Sequence, residues 1–291
     1  MTVPDALAGL ILGTLASVCW GVADFIARGA SRKVGEHLTL LGVLAVGAVG
    51  VGGYALPRGL ESVDGRAALL ITITALITLV GYLALYRAFR VGMLSVASGI
   101  ASCNAIIPVI LALVLLGERP LPWQYAGIVL VLAGVVLLSM RGFGRGLGRQ
   151  APQGQALGVA PALTAMTLFG LGLFGMKLCV SAAGPTTVAL AVRVIGVAAL
   201  GAWLLAGGRL AMPPREVRGA LIAAGLLDAA AFVFFCEALT RTLLSLVAPI
   251  SSTIPVVTVA LAYFLLHERL RPNQWAGLAM AVTGIALVAA G

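Results

Sequence analysis

The chain of 291 residues is 61% hydrophobic and only 10% charged, with a mean hydropathy of +1.10. Soluble domains carry about 45–50% apolar and about 25% charged residues, so this composition excludes a soluble globular protein and predicts an integral membrane protein seated in a lipid bilayer. The formal charge of +9 falls in short loops and at helix ends, where Lys and Arg orient and anchor spans, and implies no nucleic-acid partner.

Ten apolar runs approach the ~20 residues that a helix needs to cross ~30 Å of hydrocarbon. In chain order they predict spans at 6–28, 37–56, 67–89, 93–116, 121–140, 156–180, 186–206, 217–240, 243–266 and 273–290. The first run is too long for a cleaved leader and lacks a basic segment before it. Pro, Gly or charge punctuates the connections, as in Leu56-Pro57-Arg58-Gly59, Gly184-Pro185 and Met212-Pro213-Pro214. Residues 141–155, rich in Gly and Arg, form a polar linker between a first unit, 1–140, and a second, 156–291. Cys19, Cys103, Cys179 and Cys236 lie inside apolar runs without CxxC spacing and read as packing residues.

The two units repeat one another. Leu94–Gly134 lies under Leu244–Gly284 at an offset of 150 with 16 of 41 positions identical, among them Glu118-Arg119/Glu268-Arg269, Pro122/Pro272, Gln124/Gln274 and Gly134/Gly284. Shared apolar composition does not align Glu, Arg, Pro and Gln. The repeat extends upstream: Trp20-Gly21 falls over Phe169-Gly170, and Thr78, Tyr82 and Tyr86 fall over Asp228, Phe232 and Cys236. Five spans per half is an odd number, so the second half enters the membrane inverted. The expected fold is all-α: ten transmembrane helices as two inverted five-helix repeats, with a site near the midplane between the halves. The side holding the loops after spans 1, 3, 5, 7 and 9 carries the excess of Lys and Arg, which places both termini outside.

The duplicated Glu-Arg-x-x-Pro-x-Gln-x-Ala-Gly, preceded by Tyr86-Arg87-Ala88-Phe89-Arg90-Val91-Gly92 and by Cys236-Glu237-Ala238-Leu239, resembles the EamA-type carriers of the drug/metabolite transporter superfamily. The resemblance covers nearly the whole chain. It implies ten spans in two repeats and outward movement of amino acids, other metabolites or drugs. It also commonly implies cytoplasmic termini, against the charge count. The first half departs from the pattern: Leu44 stands at the position of Arg193, and Ala105 at that of Pro255.

Several residues are candidates for binding. Ser95, Ser98 and Ser102 share one helical face, matched by Ser245, Ala248 and Ser252, with Asn104, Thr253, Pro249 and Pro255 adding polarity and broken backbone. That face fits close helix packing and cavity lining equally well. Thr74, Thr78, Tyr82 and Tyr86 form a stripe in span 3, equivalent to Ala224, Asp228, Phe232 and Cys236 in span 8. A carboxylate near the bilayer centre is costly and normally faces a partner or water, so Asp228 points to a central cavity walled by Trp20, Thr78, Tyr82, Ser98, Ser102, Asn104, Phe232 and Ser252. Asp24 pairs with Arg28 in a helical i, i+4 arrangement or carries a coupling proton. Arg193 neutralises a buried carboxylate or snorkels to the surface. Glu118 and Glu268 fix turns at helix exits or act in gating, and His267 is interfacial.

These features suggest a secondary transporter, an exporter of a small metabolite, an amino acid or related compound, working by alternating access. A proton-coupled multidrug carrier is the alternative, followed by a membrane-embedded lipid-handling protein or enzyme. Against an enzyme, the chain has no HExxH, no GxSxG and no cluster of acidic metal ligands. No cofactor and no ATP site are implied.

Overall fold

The computed structural model describes residues 3–91, 100–139, 154–266 and 272–290, and no strand occurs among them. The first half supplies α1 (Val3–Val34), α2 (Glu36–Ala55), α3 (Gly65–Val91), α4 (Ile106–Leu115) and α5 (Pro122–Ser139). The second supplies α6 (Gly154–Ala183), α7 (Pro185–Ala206), α8 (Arg215–Arg241), α9 (Leu244–Ser251), α10 (Ile254–Leu266) and α11 (Pro272–Ala289). Among the described residues, seven stretches are long and apolar enough to cross a membrane, and two shorter apolar helices accompany them, 103–115 and 122–138. Ser95, Ser98, His267, Glu268 and the linker residues 141–153 lie outside the described residues, as do the side chains of Arg28, Tyr86 and Ser102.

Local signals explain the helix ends. Asp64 accepts a hydrogen bond from the Ala67 amide at 2.7 Å and so caps the start of α3. Between α6 and α7, Gly184 takes a positive φ of 68° that only glycine adopts without strain, and Pro185 then starts α7 with its φ already helical. Before α8, Pro214 takes an extended conformation at the N-cap position, and the helix starts at Arg215. Span 9 is interrupted: α9 stops at Ser251 and α10 starts at Ile254, beside Pro249 and Pro255. At the equivalent point of span 4, Ser102–Ala105 is a 3-10 turn leading into α4.

The most extensive helix contacts all cross from one half to the other: α1 on α8, α3 on α6, and α5 on α11. The contacts are reciprocal. The first helix of each half packs on the third helix of the other, and α2 meets its repeat partner α7. Repeat-equivalent residues make repeat-equivalent contacts. Gly21 lies against Val257 as Gly170 lies against Ile107, and Gly47 faces Arg193 as Gly196 faces Leu44.

The α5/α11 crossing is made backbone to backbone. A Cβ on Gly127 would stand 2.8 Å from the Gly284 carbonyl oxygen, and one on Gly277 would stand 2.8 Å from that of Gly134. Lipid tails are as apolar as the helices, so such close van der Waals approach supplies association that burial cannot. The outer face is apolar as a lipid-facing surface must be: Val49, Val114 and Phe264 are each 70% exposed or more.

Candidate functional site between the halves

Among the described residues, the core of the bundle holds one ion pair that burial makes exceptional. Arg193 from α7 and Asp228 from α8 are 1% and 5% exposed. The Arg193 Nη1 stands 2.5 Å from Asp228 Oδ2, while Nη2 donates to the Asp228 backbone carbonyl at 3.2 Å. By contrast, Lys33–Glu216 and Arg241–Glu237 are paired at exposed helix ends, where such pairs contribute about 1 kcal/mol or less. Desolvating two charges is repaid only by good geometry and further hydrogen bonds. Part of that repayment comes from Phe232, whose ring lies 3.9 Å below the guanidinium carbon. Trp20 from α1 meets Phe232 edge-on at 5.6 Å and Phe235 at 5.6 Å. Its indole N–H lies beside the Asp228 carboxylate, outside standard hydrogen-bond geometry. The Nε–H of Arg193 is buried and without a hydrogen-bond partner.

A narrow cleft with about 20 Å³ of room, enough for a single water molecule, reaches this pair. It is lined by Ala23, Asp24 and Ala27 of α1, Leu40, Val43 and Leu44 of α2, Tyr82 of α3, Arg193 and Asp228. Both halves therefore wall it. Tyr82 meets Phe169 of α6 at 4.9 Å, edge to face. This contact is the repeat equivalent of Phe232 on Trp20.

The residues singled out from sequence thus separate into three places. Trp20, Phe232, Asp228 and Arg193 form one cluster, with Tyr82 and Asp24 along the same cleft. Thr78 lies in the α3/α6 seam, where Gly172 leaves room for it and its hydroxyl donates to the Thr74 carbonyl at 2.8 Å. Asn104 and Ser252 meet at the breaks in spans 4 and 9, the Ser252 hydroxyl donating to Asn104 Oδ1 at 3.0 Å. Nearby, Ser17 and Thr253 share a hydrogen bond of 2.9 Å. The polarity of span 9 is therefore absorbed by side chains and by carbonyls freed near Pro249 and Pro255. The apolar liners Ala23, Ala27, Leu40 and Val43 carry no sequence signal that would distinguish them from lipid-facing residues.

A family profile described as the EamA-like transporter family matches residues 7–140 and again 156–290. The chain is a member of the EamA-like transporter family. It thereby belongs to the drug/metabolite transporter superfamily. It is 27% identical over 182 residues to a protein RarD of Streptomyces exfoliatus, covering 61% of this chain and 53% of that protein. It is 30% identical over 135 residues to an uncharacterized protein of Methanocaldococcus jannaschii, covering 45% of this chain and 96% of the relative. The chain thus spans about half the length of the first relative, while the second matches as a unit the size of one repeat. A solved crystal structure superposes with a TM-score of 0.79 at 18% identity, covering 96% of this chain and 95% of the other.

In this EamA-like protein the Glu-Arg motif after span 4 has a definite partner. The Glu118 carboxylate, 8% exposed, accepts from the amides of Leu244 at 2.9 Å and Ser245 at 2.8 Å, and from the Ser245 hydroxyl. The first half thereby caps the start of α9 in the second, satisfying donors that no helix can satisfy itself. Lys177 of α6 donates to the Leu239 carbonyl at 2.6 Å, near the end of α8. Glu118→Ala should cost about 1–3 kcal/mol, because it strands buried amides, whereas Ser245→Ala should cost less because both amides keep their acceptor. Thermal unfolding of the detergent-solubilised variants checks the order.

Proposed function

We propose that this EamA-like protein is a secondary transporter of a small metabolite, an amino acid or related compound, exported across the cell membrane by alternating access. The observation that carries the reading is the Arg193–Asp228 cleft, a polar site in an apolar bundle walled from both halves. Rocking of one half against the other would expose such a site to each side in turn. The duplicated family match and the reciprocal contacts support ten spans arranged as two inverted repeats, with the cleft near the midplane. In this reading Trp20, Phe232 and Tyr82 hold the apolar part of the solute. Arg193 and Asp228 fix its polar part, Asp24 lines the approach, and Glu118 ties the start of α9 to the first half as the halves move. Asn104, Ser252 and Thr78 then support the frame. The charge bias of the loops favours external termini.

Uptake into proteoliposomes, measured across a panel of labelled amino acids and related acids and amines with and without a pH gradient, tests the function. Saturable, protein-dependent uptake of a panel member that Tyr82→Ala weakens is the expected result. A folded, inserted protein that moves no member of the panel would count against it.

A further inference from the structure

The Arg193–Asp228 pair has a feature that a purely structural ion pair does not need: a donor left over, on a side chain that lines the cleft. Three groups on Arg193 point outward from the guanidinium. Nη1 and Nη2 are held by Asp228, and the Nε–H, fully buried, has no hydrogen-bond partner. It packs against α2 at Gly47, where an added Cβ would sit in van der Waals contact with it at 3.8 Å. The pair also breaks the symmetry of the fold. Under the repeat, Arg193 corresponds to Leu44 and Asp228 to Thr78. The first half packs the equivalent positions without any charge, so the fold does not require the pair for its architecture.

We infer that Arg193 and Asp228 form an exchangeable ion pair, in which the carboxylate of a solute replaces Asp228 on the Arg193 guanidinium and Asp228 takes up a proton. The inference rests on the transport reading above and names the group that the site selects. A solute carboxylate can take the bidentate edge of a guanidinium, including the vacant Nε–H, which Asp228 in its present position does not use. Displaced from its cation, a buried carboxylate neutralises rather than remain charged. One solute carboxylate and one proton thus enter together. The Arg193–Asp228 pair becomes an Arg193–solute pair plus a neutral Asp228 carboxyl group, and the net charge of the cleft is unchanged. Phe232 and Trp20, already against the pair, suit a solute with an aromatic or bulky apolar tail.

The titratable groups around the pair are Asp24 of α1, Tyr82 of α3 and Cys236 of α8 itself, with Cys179 of α6 beside Cys236. The α2 side chains lining the cleft are apolar. Because a proton accompanies the carboxylate, affinity should rise as pH falls, by up to tenfold per pH unit while Asp228 is ionised when empty and protonated when occupied.

The test is calorimetric titration of the purified full chain with phenylacetate, phenylalanine, phenethylamine and benzyl alcohol at pH 5.5 and 8.0. Both carboxylates should bind, at least tenfold more tightly at pH 5.5, and the alcohol and amine should not. Asp228→Asn should bind the carboxylates with no pH dependence, at an affinity equal to or above that of the wild type at pH 5.5. Should Asp228→Asn fail to fold, the wild-type pH profile and the carboxylate-over-amine preference still decide the matter. Preferential binding of phenethylamine, lost in Asp228→Asn, would overturn the exchange and leave the transporter reading standing, with Asp228 as the amine ligand. Persistence of the pH dependence in Asp228→Asn would also overturn it, by assigning the proton to another group such as Asp24. Absence of binding by all four probes overturns the exchange. Only the additional absence of any uptake in the proteoliposome panel reaches the transport reading itself.

Discussion

Arg193→Met should destabilise the protein by about 3–5 kcal/mol, the range for removing one partner of a buried ion pair. The loss comes less from the pair's own attraction than from what remains. Asp228 would be left without its cation in a site that is 5% exposed, between Phe232 and Trp20, and would have to take up a proton to remain buried there. The stacked contact of the guanidinium on Phe232 at 3.9 Å goes as well. The double variant Arg193→Met with Asp228→Leu should recover most of that stability, because well-packed apolar side chains of similar volume replace buried ion pairs at little cost. It should recover no transport. Thermal unfolding in one detergent, run on both single variants and the double, gives the coupling directly. Additive effects would mean that the two side chains do not depend on each other.

The second large effect belongs to the α5/α11 crossing. In Gly134→Leu the new Cβ alone would stand 2.6 Å from the Ala281 amide nitrogen and 2.7 Å from the Gly277 carbonyl oxygen. Both are backbone atoms, so no rotamer change relieves the clash and the helices must separate. Overpacking ordinarily costs about 1–3 kcal/mol, and a leucine at a backbone-to-backbone contact should reach or exceed the top of that range. Separation also exposes Gly127 and Gly284, the other half of the same crossing. Val129→Leu, on the 64% exposed outer face of α5, should change stability by less than about 0.5 kcal/mol. Size-exclusion profiles and melting temperatures of the two variants separate these outcomes.

Much of the helical layout is legible in sequence because a bilayer allows few solutions. Every backbone group in hydrocarbon must be satisfied internally, so an apolar run of the right length reads as a helix. The interruption of span 9 at Ser252–Thr253 was signalled by Pro249 and Pro255 flanking it. Asp228 stood out because a carboxylate deep in an apolar run demands a partner. The sequence offers Arg193 as a cation for a buried carboxylate, but does not show that this carboxylate is Asp228. Arg193 lies on a different helix, and only the α7/α8 packing brings it within reach. The stripe of span 3 looked continuous, yet Tyr82 lines the cleft while Thr78, one turn earlier, packs into the α3/α6 seam. Periodicity places residues on a face without saying how far along the helix that face opens. Glu118 illustrates the same limit, since its acceptors' partners, Leu244 and Ser245, lie in the other half.

Solvent access to the cleft tests most directly whether it is a transport path. Val43 lines it from α2 without touching the ion pair's hydrogen bonds. In a background lacking Cys19, Cys103, Cys179 and Cys236, a Val43→Cys variant would be exposed in intact cells and in inverted vesicles to a membrane-impermeant maleimide. Labelling from both sides, reduced by a transported solute, is the result expected of a site presented alternately to each face. Labelling from neither side by a folded protein would show a closed cavity inside the bundle and contradict transport through it.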